Sequence, residues 1–198
     1  MTSKDRRERI KQATRLGILA AARRIARDEG WPAVTIRKVA EAVEYSPSIV
    51  YEYFESKDAI LAALLEDGFA QLTEQMRQAA GDEEARLRQM GQIYWRFACE
   101  QPELYQVMHG LAGGLIDPAQ RNQAAVPAAM LVAEALADWG HATGANLPEP
   151  MRAAEIVWSL LHGMASLALS GSLPSAVADG PALVDLASQT MLDGWRRR

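Results

Sequence analysis

The chain has 198 residues, 49% of them apolar and 23% charged, which is long enough to bury a sizeable core without disulfide or metal staples and too apolar for disorder. Its net charge of −4, taken whole, argues against a nucleic-acid binder. The charge is uneven, however: residues 1–57 hold 12 Lys+Arg against 8 Asp+Glu (+4), and the remainder holds 9 against 17 (−8), so a basic piece joined to an acidic body points to two tasks.

Cys99 is the single cysteine, so no intrachain disulfide forms. That fits a reducing compartment, and the residue reads as a buried apolar side chain rather than a redox switch. Met1 to Lys11 lacks the apolar stretch of a secretory signal. The most apolar run, Ile156–Leu169, is shorter than the roughly 20 residues of a spanning helix and contains Ser159, His162 and Ser166. A cytoplasmic protein without a membrane partner is expected.

The pattern is helical nearly throughout. Ile10, Ala13, Thr14, Ile18, Ala21, Ala22 and Ile25 recur at spacings of three and four, and Gly30 followed by Trp31-Pro32 stops that helix. Thr35 is placed to cap a short helix carrying Ile36, Val39, Ala40 and Val43. Ser46-Pro47 starts a second short helix to about Tyr53. Ser56 then caps a long helix with Ile60, Leu61, Leu64, Leu65, Phe69, Leu72 and Met76 on its apolar face. Further helices are expected over Glu84–Cys99, from Pro102 through Met108, and over Pro127–Trp139, Met151–Ser170 and Ala182–Arg197. Gly110–Pro118, Gly140–Pro150 and a Gly/Pro/Ser segment read as loops. No alternating strand pattern or solenoid repeat is present, so the fold class is all-α, with about nine helices.

Two very short helices joined by a tight turn have helix-turn-helix spacing, in which the first helix must be locked on the second so that the second enters a major groove. Ile36, Val39, Ala40, Val43, Ile49 and Val50 supply apolar lock positions. Pro47, Ser48, Tyr51, Glu52 and Tyr53 are left to face outward. On spacing alone, a packed corner of a helical bundle is an equal alternative.

The run Thr14-Arg15, Ile18-Leu19, Ala21-Ala22, Gly30, Thr35, Val39-Ala40, Ser46, Tyr51, Phe54 and Ser56-Lys57-Asp58 resembles the DNA-binding domain of the TetR family of transcriptional repressors. Trp158, His162-Gly163 and Gly171 resemble the Trp-His-Gly motif of one group of TetR-type C-terminal domains. The resemblance implies a helix-turn-helix domain over 1–57 and a ligand-binding and dimerisation domain over 58–198. It implies DNA contacts from Thr35, Arg37, Ser46, Pro47, Ser48, Ile49, Tyr51, Glu52, Tyr53 and Lys57, with Tyr51 and Lys57 on phosphates. One departure stands out: family members usually carry Gly where this chain has Glu44. Either Glu44 adopts positive φ at a cost of order 1 kcal/mol, or the turn is wider.

Lys4, Arg6, Arg7, Arg9 and Lys11 read as a solvated tail, the alternative being a flexible basic arm on DNA. The wall of an apolar effector cavity is assigned to Tyr94, Trp95, Phe97, Tyr105, Met108, His109 and His162. Metal-ligand spacings are absent, so no metal and no cofactor are expected. The expected helix Met151–Ser170 is apolar on most sides, and with the last helix it suggests a homodimer interface through Trp158, Leu161, Ala165, Ala168, Leu186, Met191 and Trp195. The implied function is a ligand-responsive repressor. It binds a palindromic double-stranded DNA operator as a homodimer and is released by a small, largely apolar effector. Two other classes stay open: a DNA-binding dimer (repressor or activator) without an effector, and a helical enzyme. Nucleophile-elbow and phosphate-loop signatures are missing, which weighs against the enzyme.

Overall fold

A computed structural model of the chain describes residues 3–110 and 116–196. Among the described residues there are nine α-helices, one short 3-10 turn and no strand. Helix α1 spans Ser3–Glu29, and its apolar stripe becomes buried only from Ile18 onward; Ile10 is 56% exposed. Gly30, at φ 84°, ends it, and Trp31–Ala33 forms the 3-10 turn. Then come α2 (Ile36–Ala42), α3 (Pro47–Tyr51) and α4 (Lys57–Arg77). All seven apolar positions expected on α4 are buried, and the Ala59 N–H donates to Ser56 Oγ at 3.1 Å, closing the start of the helix.

Helix α5 (Glu83–Glu100) starts on Asp82, whose carboxylate accepts from the Ala85 N–H at 2.8 Å. Helix α6 covers Pro102–Met108. Helix α7 runs over Pro118–Thr143, so it begins well before Pro127, the expected start. Asp117 supplies the earlier start by accepting from the Ala119 N–H at 3.0 Å, and Pro127 is carried inside the helix at the loss of one backbone bond. Helix α8 spans Pro150–Leu169. Helix α9 spans Pro174–Arg196 with a kink at Asp179 (φ −151°, ψ 43°) just before Pro181. The segment beyond the kink is the expected last helix; the part before it was expected as a loop. The loop expected over Gly110–Pro118 falls in part on 111–115, and the expected end at Arg197 also lies outside the described residues.

Contacts divide the chain into two units that are not contiguous in sequence. The first contains residues 1–68 and 103–121, and the second 69–102 and 122–198. The division falls inside α4, at Gly68, whereas the sequence suggested its first turn. Helix α6, which follows α5 in the chain, is counted with the first unit.

The first unit packs Ile18, Ala22, Val39, Val50, Ile60, Leu64, Leu104 and Met108, all essentially inaccessible to solvent. Gly68 lets α4 and α6 approach closely, since a Cβ there would lie 2.6 Å from Met108 Sδ. An ion cluster ties α6 to α1. The Glu103 carboxylate, 3% exposed, takes Arg23 at 2.9 Å and Arg27 at 2.7 Å on the same oxygen, Oε1. Its Oε2 is buried without a hydrogen-bond partner among the described residues. The Trp31 indole N–H donates to the Glu103 carbonyl at 3.2 Å. Burial alone would raise the Glu103 carboxyl, but hydrogen bonds from Arg27, from its own backbone and from Arg23, with the Arg23 charge, hold it below the usual carboxylate range.

The second unit is built on Ala133, Leu136, Trp139, Ala153, Ala154, Leu192 and Trp195. Arg196 lies over the Trp139 ring, 5.3 Å from its centroid, and pairs with Glu84. Arg88 donates to Asp185 at 2.8 Å, joining α5 to α9 across the edge of this core.

Candidate functional site

The short helix pair is locked from inside. Val39 and Ala40 of α2 and Val50 of α3 are buried, while Ile36, Val43 and Ile49 are half-buried around them. Thr35 caps α2, accepting from the Lys38 N–H at 3.2 Å. The turn that follows has the paired bonds of a Schellman closure: Tyr45 N–H to the Ala40 carbonyl at 2.9 Å, and Glu44 N–H to the Glu41 carbonyl at 3.1 Å. Glu44 occupies the left-handed position at φ 59° and is the only non-glycine residue with positive φ among those described. Of the two alternatives for this turn, the chain takes the strained one; it closes as tightly as a glycine turn would.

That closure sets the outward face of α3. Ser46, Pro47, Ser48, Tyr51 and Glu52 are exposed, Tyr51 at 55%, and Tyr53 is half-buried. Ser46 sits at the helix start but does not cap the backbone; its hydroxyl meets that of Ser48 at 2.7 Å. Two polar hydroxyls and a phenol therefore stand on one exposed face. Arg37 and Thr35 are exposed on α2. Lys57 is half-buried, and its ammonium donates to the Trp31 carbonyl at 2.6 Å, which leaves two of its three N–H donors for another acceptor. Tyr45, 44% exposed at the turn, was not among the sequence candidates; an aromatic at that position reads as a lock residue, and only the structure turns it outward.

The seven residues assigned to an effector wall divide between the units. Tyr105, Met108 and His109 belong to the first, where Tyr105 and Met108 are core and the Tyr105 and His109 rings lie 4.4 Å apart. Tyr94, Trp95, Phe97 and His162 belong to the second, and the first three are buried. None of the seven lines the apolar cavity inside the second unit. That cavity, of about 30 Å³, is walled by Met76, Leu87, Met90, Val132, Leu136 and Met191 among others, and Gly91 and Ser188 open onto it. It holds a water-sized guest, far below the roughly 300 Å³ of small-molecule sites. Its methionines are unbranched and can repack around a guest.

The dimer candidates also separate. Leu161, Ala165 and Trp195 are buried in the second unit's own core, and Ala168 and Met191 are half-buried. Trp158 (48% exposed) and Leu186 (64%) face solvent, and Ile156, Leu167 and Leu169 are also exposed on α8. Trp158 stacks on His162 with centroids 5.4 Å apart, and burial lowers the His162 pKa. Cys99 is exposed, which corrects the expectation of a buried residue: it falls on the outer side of α5, beside Glu100. Partial desolvation and the Glu100 charge push its thiol up, away from thiolate reactivity. No group of three or more metal-ligating side chains occurs among the described residues, and no described helix is long and apolar enough to cross a membrane.

Residues 18–64, which contain the locked helix pair, match the family model of bacterial regulatory proteins of the tetR family, and residues 87–191 match that of the tetracyclin repressor-like C-terminal domain. The chain belongs to the TetR family. It is therefore a DNA-binding transcriptional regulator by family, and the α2–α3 pair lies within the matched N-terminal domain. No curated protein matches the chain. Among solved structures, a Rhodococcus sp. RHA1 protein of unknown function superposes with a TM-score of 0.79 at 26% identity, over 92% of this chain and 95% of that one. The fatty acid degradation regulator FadR from Bacillus halodurans gives 0.74 at 19% identity, over 90% and 94%. The TetR family transcriptional regulator PfmR from Thermus thermophilus gives 0.69 at 20%, over 89% and 97%. At such identities the last two speak for the fold alone.

Proposed function

We propose that this TetR-family regulator is a cytoplasmic homodimeric repressor that reads a palindromic operator and is released by a small apolar effector. The observation that carries the DNA-reading part is the exposed face of a locked α3, with Ser46, Ser48, Tyr51 and Glu52 exposed along a helix held from inside by the fully buried Val50 and the half-buried Ile49. Two copies related by two-fold symmetry would present two such faces to major grooves about 34 Å apart. The exposed apolar residues of α8 and α9, Trp158 and Leu186 foremost, support self-association through those helices. Effector release would act as a population shift, with the ligand favouring a spacing of the reading heads that no longer fits the operator. Helix α4, whose residues are shared between the units, is the natural lever. The methionine-walled cavity supports an apolar effector.

Selection of genomic fragments bound by the full chain tests this. Enrichment of a two-fold symmetric sequence is the expected result; no enrichment over random fragments would overturn the reading. The small volume of the cavity favours a second reading, a dimeric regulator without an effector. Apolar small molecules that loosen the operator complex decide for the first; unchanged operator affinity across such a series decides for the second.

A further inference from the structure

Helix α1 is longer than the unit it belongs to. Residues 4–13 are helical and every one of them is exposed; burial begins only at Ile18. At 1.5 Å per residue, Lys4 to Ala13 is an exposed projection of about 14 Å. An isolated helical stretch of this length is marginal in water, so its sequence has to be explained by something other than core packing.

Its charge has a direction. At 3.6 residues per turn, Lys4, Arg7, Lys11 and Arg15 fall within roughly 80° of one another. Ile18, Ala22 and Ile25 continue the same strip, and all three are buried. The strip that is apolar where α1 lies on the unit is thus cationic where α1 leaves it. Arg6 and Arg9 lie on roughly the opposite side. Lys4, Arg7 and Lys11 have no ion-pair partner among the described residues.

The two ends of α1 are anchored differently. Arg23 and Arg27, toward its C-terminus, meet Glu103 of α6. Arg15 lies over the Phe54 ring, 5.2 Å from its centroid, and Phe54, three residues past α3, donates its N–H to the Val50 carbonyl at 3.0 Å. The basic projection therefore leaves the unit beside the C-terminal end of the reading helix, at the end of α1 away from α6.

We propose that the N-terminal turns of α1 form a second DNA-contacting element, in which the strip of Lys4, Arg7 and Lys11 lies on phosphates flanking the site that α3 reads. The proposal rests on the DNA-binding reading above and extends the footprint beyond the helix-turn-helix. Contacts of this kind add affinity and salt dependence without sequence preference. They also answer the modest charge of residues 1–57: a net +4 serves DNA better when three cations are aligned than when all are scattered.

The test is equilibrium binding to a random-sequence DNA duplex a few helical turns long, measured against salt for three full-length proteins. In the Lys4→Ala/Arg7→Ala/Lys11→Ala variant, the log–log salt slope is expected to flatten by roughly two to three units. The Arg6→Ala/Arg9→Ala variant, altered on the other side of the same segment, should keep the wild-type slope. A Gln triple variant should reproduce the Ala triple and exclude an effect of helix propensity. A wild-type slope in the triple variant, or equal flattening per cation in both variants, would overturn the proposal while leaving the DNA-binding reading intact. A wild-type protein without salt-dependent duplex affinity would overturn both.

Discussion

Both units have apolar cores, and they differ in what surrounds those cores. The reading unit is clamped by directional bonds: a capped α2, a Schellman turn, and a buried carboxylate gripping two arginines of α1. The body packs around Trp139 and Leu136, carries ion pairs at the edge of that core, and has a methionine-walled cavity inside and apolar residues left outside on α8 and α9. Directional bonds fix one geometry, which fits the proposed reading of base edges. Apolar packing with flexible side chains tolerates more than one arrangement, which fits the proposed admission of an effector or a second protomer.

The contrast is tested first where the largest effects lie. Trp139→Ala removes a fully buried indole from the body and should cost about 4 kcal/mol in denaturant unfolding. Duplex affinity per folded molecule should be kept; a loss of affinity in the folded fraction would show that the units are not separable in this way. Glu103→Ala leaves two arginines of the reading unit without their buried partner and should cost about 3 kcal/mol. Its pH dependence has a definite sign. The folded carboxyl is held below its ordinary value, so the stabilisation is fully present above that ordinary value of about 4.5 and is lost as pH falls through the folded value. Stability of the wild type should drop on acidification in that window, and Glu103→Gln should drop less. Equal acid sensitivity would assign the effect to other carboxylates.

Trp158→Asp should weaken self-association by about 2 kcal/mol or more, read by sedimentation, because an exposed aromatic is the strongest anchor an apolar face can offer. An unchanged dimer would move the interface off this part of α8. Lys57→Ala should flatten the salt slope by about one unit and weaken all duplexes alike. A defect confined to one base pair would contradict a phosphate role. The smallest effect belongs to Glu44→Gly, expected to raise stability by up to about 1 kcal/mol in thermal unfolding, since glycine relieves the left-handed conformation but loses more entropy on folding. Destabilisation there would mean that the Glu44 carboxylate makes a contact that outweighs the strain.

The same contrast explains what the amino-acid sequence discloses. The reading element is local, so capping residues, a proline start and the missing glycine at Glu44 all lie within a few positions of the structure they determine. The Glu103 cluster does not, because its partners stand 80 and 76 residues away and no periodicity connects them. On α8, apolar residues on most sides conceal which side meets the protomer's own core: Leu161 and Ala165 turn inward and Trp158 outward. The aromatic residues Tyr94, Trp95 and Phe97 read as a cavity wall and are core, while the cavity is lined by methionine and aliphatic side chains that carry no distinctive spacing. Helix α7 begins before its proline because Asp117 caps it, a choice made by one side chain.

The central claim is that two copies of a rigid reading unit are joined through the body to read a symmetric site. Titration of the full chain against the selected operator and against its isolated half-site tests this most directly. The account predicts two protomers per operator and a half-site affinity weaker by orders of magnitude. One protomer per operator, with equal affinity for the half-site, would contradict it.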